Sequence, residues 1–528
     1  MPDTAARTRF ALACVMIFAL GAALVLRAAL DATFGRLIYV LDDPYIHLAL
    51  AENIARGHYG INLSEPSSPS SSVLYPFLLA PFFALGLREV PPLLIALLAQ
   101  GVAVFVLARF LWDELLTGIG MPRTRLVIAA LAALLLPLAI NSWGLPFTGM
   151  EHSIHVLTTV LVLVGLHATS QGDRTLYLVP AIWLNAMIRF EGFALSTAAI
   201  LALFFLRRPR EAGAALGLTG MSVLAYAGFM KSLGLPLLPS SVMVKSDASA
   251  NLVGGDLLPI VAALGETIAT SLGKYWGVLF AVVGLAGLPL ALRPSASQAY
   301  RVLYLVGASA LLAHLALGKY GGIGRYESYG AAIAVILVTL VVREALSAPR
   351  LRHGVVFSLL VICAIPFSGT AVLVPAAARN IYDQQYQMHR FATEFFPERV
   401  AVNDLGWVSF ENDTYVLDLH GLGSEVSRRI QAETGGHTAD TLRRLTERHD
   451  VEFVMIYDQW FEEVAEKPWC LVGVLGTSAV IAAGSEVSIY VVDPAKMPEI
   501  QAALRDWRSS LPETAGLELF DCDRRAPL

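Results

Sequence analysis

Two adjacent carboxylates, Asp42 and Asp43, stand in the stretch LDDPYIHLALAENIARGHYG, residues 41 to 60, shortly after an apolar N-terminal segment. A carboxylate at a lipid boundary can be held ionised yet partly desolvated, and there it can take a proton from a hydroxyl or clamp a substrate. The same pair can equally cap a helix. Pro44 suits the first turn of one, and Ile46, Leu48, Leu50 and Ile54 would lay it along the membrane. The loop then continues through GHYGINLSEPSSPSSSVLYP, whose Ser, Pro, Asn and Gly preclude regular helix. It is either a flexible linker or a loop folded over a sugar site.

Other polar groups interrupt apolar sequence. NSWGLPFTGMEHSIH brings Glu151 to the start of an apolar run, where an acid ordinarily caps a helix. In AMIRFEGFAL, Arg189 and Glu191 break an apolar hairpin at a depth where unpaired charges cost several kcal/mol. They pair with each other or with another helix, or the arginine binds a phosphate. Lys245 in LLPSSVMVKSDAS and Arg325 in GKYGGIGRYESYG are each explained singly by snorkelling. Together with Arg189 they would neutralise a phosphate leaving group. His47, His58, His152 and His155 lie in the same stretches, with His152 and His155 at i, i+3; a metal site is the minor reading of them.

The elements that must position these residues follow from composition. Of 528 residues, 56% are hydrophobic and 15% charged, against roughly a quarter charged in soluble domains, so the chain is a membrane protein. A net charge of −5 gives no basic surface for nucleic acid. Bilayer-length apolar runs lie near 10–30, 91–111, 124–141, 152–169, 211–231, 275–292, 301–318, 326–343 and 354–374, with two more in 175–206, which predicts eleven transmembrane helices. Residues 7–27 read as an uncleaved first helix. The run 73–87 would rise only about 22 Å as a helix, short of a ~30 Å core, and carries two prolines.

If 73–87 does not span, Arg7, Arg9, Arg109, Arg123, Arg125, Arg207, Arg208, Arg210, Arg293, Arg301 and Arg343 to Arg352 fall on one side, as the positive-inside rule asks. The N-terminus is then cytoplasmic. Residues 31–90, 142–151, 189–191, 232–274, 319–325 and the tail share the extracytoplasmic face, so every unusual polar cluster does too.

The tail changes character. From about residue 380 it is charged, and β-rich runs (RVAVND, TYVLDL, VEFVMIYD, VSIYVV) alternate with helical stretches such as TADTLRRLTERH. This predicts a transmembrane domain over 1–374, with 31–90 as its catalytic loop, and a small α/β domain over 375–528. Cys14 and Cys363 lie in apolar runs and read as core; Cys470 and Cys522 would pair if the tail is extracytoplasmic, a point left open. No P-loop, dinucleotide, zinc-protease or serine-hydrolase motif is present.

These segments resemble the polytopic GT-C glycosyltransferases, which use polyprenyl-phosphate-linked sugars on the extracytoplasmic side. The match rests on LDDPYIHLALAENIARGHYGINLSE, the following Ser/Pro stretch with LYPFLLAPFFALG, PFTGMEHSIHVL, AMIRFEGFAL, LPSSVMVK and GGIGRYESYG. It is nearest the branch of mycobacterial terminal arabinofuranosyltransferases, whose D-x-G … D-x-x-G-L segment is matched by VAVNDLGWVSFENDTYVLDLHGLGS. Two motifs depart: Pro239-Ser240-Ser241 stands where the third commonly has Pro-Asn-Thr/Ser, and Arg189-Phe190-Glu191-Gly192 where another has Arg-Pro-Glu-Gly. The donor sugar therefore stays open.

The resemblance implies a mainly α, GT-C-like multi-pass protein of the bacterial inner membrane. It further implies an inverting transfer of an arabinofuranose-like pentose or a hexose from a polyprenyl-phosphate donor to a glycan, lipid or protein acceptor in the cell envelope. Asp42 or Asp43 would be the base, with a lean to Asp42 because relatives with a DE pair use the first position. Arg189, Lys245 and Arg325 would hold phosphate; Glu151, either alone or with the acids around a divalent cation, would orient the sugar; Tyr45, His47, Glu191 and Tyr326 would line the substrate. The alternative is a polyprenyl-linked glycan flippase, which predicts polar residues within the spans and repeat symmetry.

Overall fold

The computed structural model of the protein describes residues 2–117, 122–237, 239–245, 257–464 and 466–522. Among these, seven helices are long and apolar enough to cross a membrane: Thr4–Ala32, Val90–Leu116, His152–Ser170, Pro209–Ser232, Gln298–Leu317, Ser328–Ala345 and Arg350–Phe395. An eighth crossing is possible for a broken pair, Val261–Leu272 and Tyr275–Ala291, bent by 103°.

The remaining expected spans are shorter helices. Arg125–Ala139 carries Pro137, and the 175–206 region is two pieces, Leu178–Ile188 and Gly192–Phe205, parted where Arg189 takes an extended backbone. The stretch 232–274, expected as loop, contains the helix Leu257–Leu272. The run 73–87 forms only Tyr75–Ala84, ten residues with Pro76 in its first turn and Pro81 inside, a rise of about 15 Å.

The bundle has two chemically different ends. At one, Arg7 pairs with Asp113 at 2.8 Å, and Glu114 receives both Arg343 and His167. Helix His152–Ser170 carries His167 at this end and is preceded by Glu151, roughly 24 Å away along its axis. The loops containing Asp43, Arg189 and Arg325 gather at the Glu151 end.

Helix Asp43–Ala55 is buried on nearly every side, packed against Tyr75–Ala84 and against a short helix of the tail, Gly406–Ser409, so its apolar residues face protein. Its one amide, Asn53, is satisfied by the carbonyls of Gly60 and Ile61 at 2.8 and 2.7 Å.

The tail folds into one sheet of six strands: β1 (Val400–Val402), β2 (Val416–Asp418), β3 (Phe453–Ile456), β4 (Cys470–Gly476), β5 (Glu486–Val491) and β6 (Gly516–Leu519). Their order is β2-β1-β3-β5-β4-β6. β2, β1 and β3 are parallel, with Val400 opposite both Val416 and Phe453, while β5, β4 and β6 are antiparallel additions. The parallel strands are buried along their whole length, as a sheet covered on both faces requires.

Cys470 and Cys522 form a disulfide, and Cys14 and Cys363 are buried thiols. Bundle and sheet share a helix: Pro349–Asp383 runs past the boundary expected at 374, and Asn380 accepts the main-chain N–H groups of Val480, Ile481 and Ala482 through its Oδ1.

Candidate functional site

At the Glu151 end of the bundle lies a cleft of about 730 Å³. Its polar mouth holds Asp43, Ser71, Arg189, Glu191, Arg325 and Tyr326. The rest of its lining is largely apolar, with Phe193, Ala194 and Leu201 from the helix Gly192–Phe205 and Ala310, Ala313 and Leu317 from the helix Gln298–Leu317. Leu201 and Leu317 are 54% and 62% exposed, so apolar lining continues onto the surface of the bundle.

Arg325 reaches the mouth because GGIGR folds as a tight left-handed loop. Gly321, Gly322, Ile323 and Gly324 all have positive φ, and Glu327 Oε1 accepts the Gly321 N–H at 2.7 Å to hold the turn. A Cβ at Gly322 would stand 2.9 Å from Arg325 Nε. Burial pushes the Glu327 carboxyl up to about 7.

Arg325 Nη1 donates to Asp43 Oδ2 at 2.9 Å, and its Nη2 donates to the Tyr326 hydroxyl at 3.1 Å. Burial works against the charge on this guanidinium, but Asp43 and Tyr326 outweigh it and hold the pKa above the ordinary arginine value.

The helix break at Arg189 delivers the second cation. Arg189 Nη1 donates to Glu151 Oε1 at 2.7 Å and to Ser71 Oγ at 3.3 Å, while its Nε donates to Glu191 Oε2 at 3.0 Å. Both guanidinium groups flank the Tyr326 ring, at 4.9 Å for Arg325 and 5.7 Å for Arg189. The serine loop is pinned by the Pro-Ser-Ser segment: Ser240 N–H donates to Ser68 O at 3.1 Å, and Ser241 Oγ to Ser70 O at 2.7 Å.

The two aspartates part company. Asp42 turns away from the cleft and accepts the Gly406 and Trp407 N–H groups, beside Asp404. Burial and the neighbouring Asp404 charge push its pKa well up. Tyr45, expected at the substrate, is fully buried and stacked on Trp407 with ring centroids 3.9 Å apart. His47 and Glu151 sit behind the mouth, His47 Nε2 lying 3.4 Å from Glu151 Oε2, and Glu151 also accepts from Ser71. Among the described residues no three His, Cys, Asp or Glu side chains group as metal ligands would.

Lys245 ends the helix Ser240–Lys245, and its side chain lies outside the described residues. His152 packs edge-on to Tyr326, and His155 lies against Tyr329.

Of the expected site residues, Asp43, Arg189, Glu191, Arg325 and Tyr326 converge. Sequence reasoning missed Ser71, His314, Lys319 and Tyr329, which also line the cleft. Lys319 and Tyr329 stand in the very segment that carries Arg325, and Ser71 in the serine-rich loop; His314 sits in an apolar helix and gave no signal.

Residues 379–490 match one family. It is described as a domain of unknown function, DUF8728. No curated protein matches the chain. Among solved structures, the chain is similar to ArnT from Cupriavidus metallidurans in the apo state, with 13% identity over 90% of this chain and 98% of that one and a TM-score of 0.42. The family match takes in Asp404, Gly406 and Trp407, the residues that meet Asp42, and also Asp418. Asp418 is spent on its own turn, accepting from the N–H groups of His420 and Gly423, and burial pushes its carboxyl up to about 6.

Proposed function

We propose that the protein is an inverting glycosyltransferase that moves a sugar from a polyprenyl-phosphate donor to an acceptor hydroxyl at the extracytoplasmic membrane surface. The observation that carries this reading is the meeting of one carboxylate, Asp43, with two arginines, Arg189 and Arg325, in a cleft whose remaining lining is largely apolar and continues onto exposed leucines. The apolar half suits a prenyl chain entering from lipid, and the arginines suit its phosphate.

In the reaction, Asp43 takes the proton of the acceptor hydroxyl as that oxygen attacks the anomeric carbon. The bond from that carbon to the phosphate oxygen breaks, and polyprenyl phosphate leaves with the electron pair, stabilised by Arg325 and Arg189. Attack opposite the leaving group inverts the anomeric centre. Tyr326, bonded to one arginine and flanked by both, is suited to setting the phosphate's position. An arabinofuranose-like pentose or a hexose is the sugar class in view, with a cell-envelope glycan as acceptor.

The test is transfer by purified protein in nanodiscs from a panel of radiolabelled polyprenyl-phosphate pentoses and hexoses. Transfer from at least one donor is expected; scrambling of donor between leaflets with no transfer would favour a flippase instead.

Sidedness is supported by the arginine-rich end opposite the cleft and by the Cys470–Cys522 disulfide, a bond that persists outside the reducing cytoplasm. Eleven crossings keep the arginines on one face if Leu178–Ile188 and Gly192–Phe205 are two legs and the bent pair one. A reporter fused after Leu528 should then read extracytoplasmic, and a cytoplasmic readout would reverse the assigned face.

A further inference from the structure

Asp42 is adjacent to the cleft in sequence but committed elsewhere in space. It is 7% exposed, and both its oxygens are taken: Oδ2 accepts the Gly406 N–H at 2.6 Å and Oδ1 the Trp407 N–H at 2.8 Å. The fit around it leaves no slack. A Cβ on Gly406 would stand 2.1 Å from the Asp42 carbonyl oxygen and 2.4 Å from Oδ2, a distance that forces the two segments apart. Trp407 stacks on Tyr45, two residues beyond Asp43, so the aspartate pair is held on both flanks by the tail.

A second acid completes the pocket. Asp404 follows β1, hydrogen-bonds to Asp42, and accepts from Gln385 Nε2 at 3.0 Å and from the Tyr457 hydroxyl at 3.4 Å. Burial pushes both carboxyls up, and for Asp42 the neighbouring Asp404 charge adds to it. Gln385 and Tyr457 in turn bond to each other at 2.9 Å, which ties the pocket to the bundle's last helical segment and to the end of β3.

We propose that Asp42 is a positioning residue: it locks the turn bearing Asp43 onto the Gly406 and Trp407 amides, so that the C-terminal domain sets the place of the base. This rests on the transfer reaction proposed above. The consequence is that the DUF8728 segment is a working part of the active site, and its role is exerted without touching substrate.

The decisive variant is Gly406→Ala, which adds one methyl group outside the cleft. Displacement of the base by the order of 1 Å is expected to lower kcat about 10²-fold while the donor KM stays within about threefold. In the same full-length protein in nanodiscs, without any substrate, hydrogen exchange of the 39–47 amides should rise. Asp404→Asn, which keeps the shape and carries its own N–H donor, should restore most of the rate that Asp404→Ala loses.

Wild-type kcat in Gly406→Ala with unchanged exchange would overturn the proposal, as would a loss confined to donor KM. If Gly406→Ala does not yield monodisperse protein, the contrast between Asp404→Asn and Asp404→Ala decides: equal rates overturn it. Should the wild type transfer from no donor at all, the transferase reading fails separately, and unaltered exchange at 39–47 in Gly406→Ala remains the result that sinks the lock.

Discussion

Asp43→Asn is expected to reduce kcat by about 10²- to 10⁴-fold, the span that general-base catalysis contributes, with donor KM nearly unchanged. Asp43 is one-quarter exposed at the cleft mouth, so an isosteric amide there should leave thermal stability nearly as it was. Asp43 is held at the mouth by its 2.9 Å contact with Arg325, and a donor phosphate would meet the same guanidinium. Single-turnover transfer by Asp43→Asn at the wild-type rate would remove Asp43 from the mechanism and return the role to Asp42.

Replacement of Arg189 should have the largest effect on folding. This guanidinium is 7% exposed and is bonded to Glu151, which is fully buried, and to Glu191. Arg189→Met takes the arginine away from fully buried Glu151, leaving it only His47 at 3.4 Å, and from Glu191 at the cleft mouth; breaking a buried pair in this way costs about 3–5 kcal/mol. The expected outcome is a marked fall in the thermal midpoint measured by size-exclusion chromatography after heating, together with loss of transfer. A double variant, Arg189→Met with Glu151→Gln, removes one of the stranded charges and should recover part of the stability but none of the transfer. If Arg189→Met were as stable as wild type, the charge network would not be the clamp described here. If the double variant recovered activity, Arg189 would have no part in holding the phosphate.

The two predictions share a cause: the same residues serve as structure and as chemistry. Glu151 and Glu191 keep Arg189 extended toward the mouth, and the glycine loop of 321–324 keeps Arg325 there. Neither arginine has enough local sequence to hold it in place. Each depends on a break in a helix or a left-handed turn, and those are stable only because the flanking helices pack around them.

Much was written in local sequence. The charge-poor composition and apolar runs announce a membrane bundle, and the ten-residue length of Tyr75–Ala84 follows from a run too short to cross. Four β-rich runs became β1, β2, β3 and β5, and TADTLRRLTERH became Ala439–Arg448 with Thr438 as its cap. β4 and β6 escaped notice because glycines dilute their pattern, Gly473 and Gly476 in one and Gly516 in the other. Asp43, Arg189 and Arg325 stood out because charges are costly in apolar surroundings and are kept there only with a partner or a task.

Which of the two aspartates faces the cleft was beyond local sequence. Adjacent residues at a helix start point about 100° apart, and nothing in LDDPYIHL says which direction leads to the cleft and which to the tail. That was decided by Gly406 and Trp407, more than 360 residues along the chain, whose amides claim Asp42. His314 likewise reaches the cleft only through the packing of its apolar helix, where side-chain chemistry leaves no periodic trace. Hydrophobicity and charge are properties of a residue and can be read one at a time; orientation is a property of packing and belongs to the whole fold.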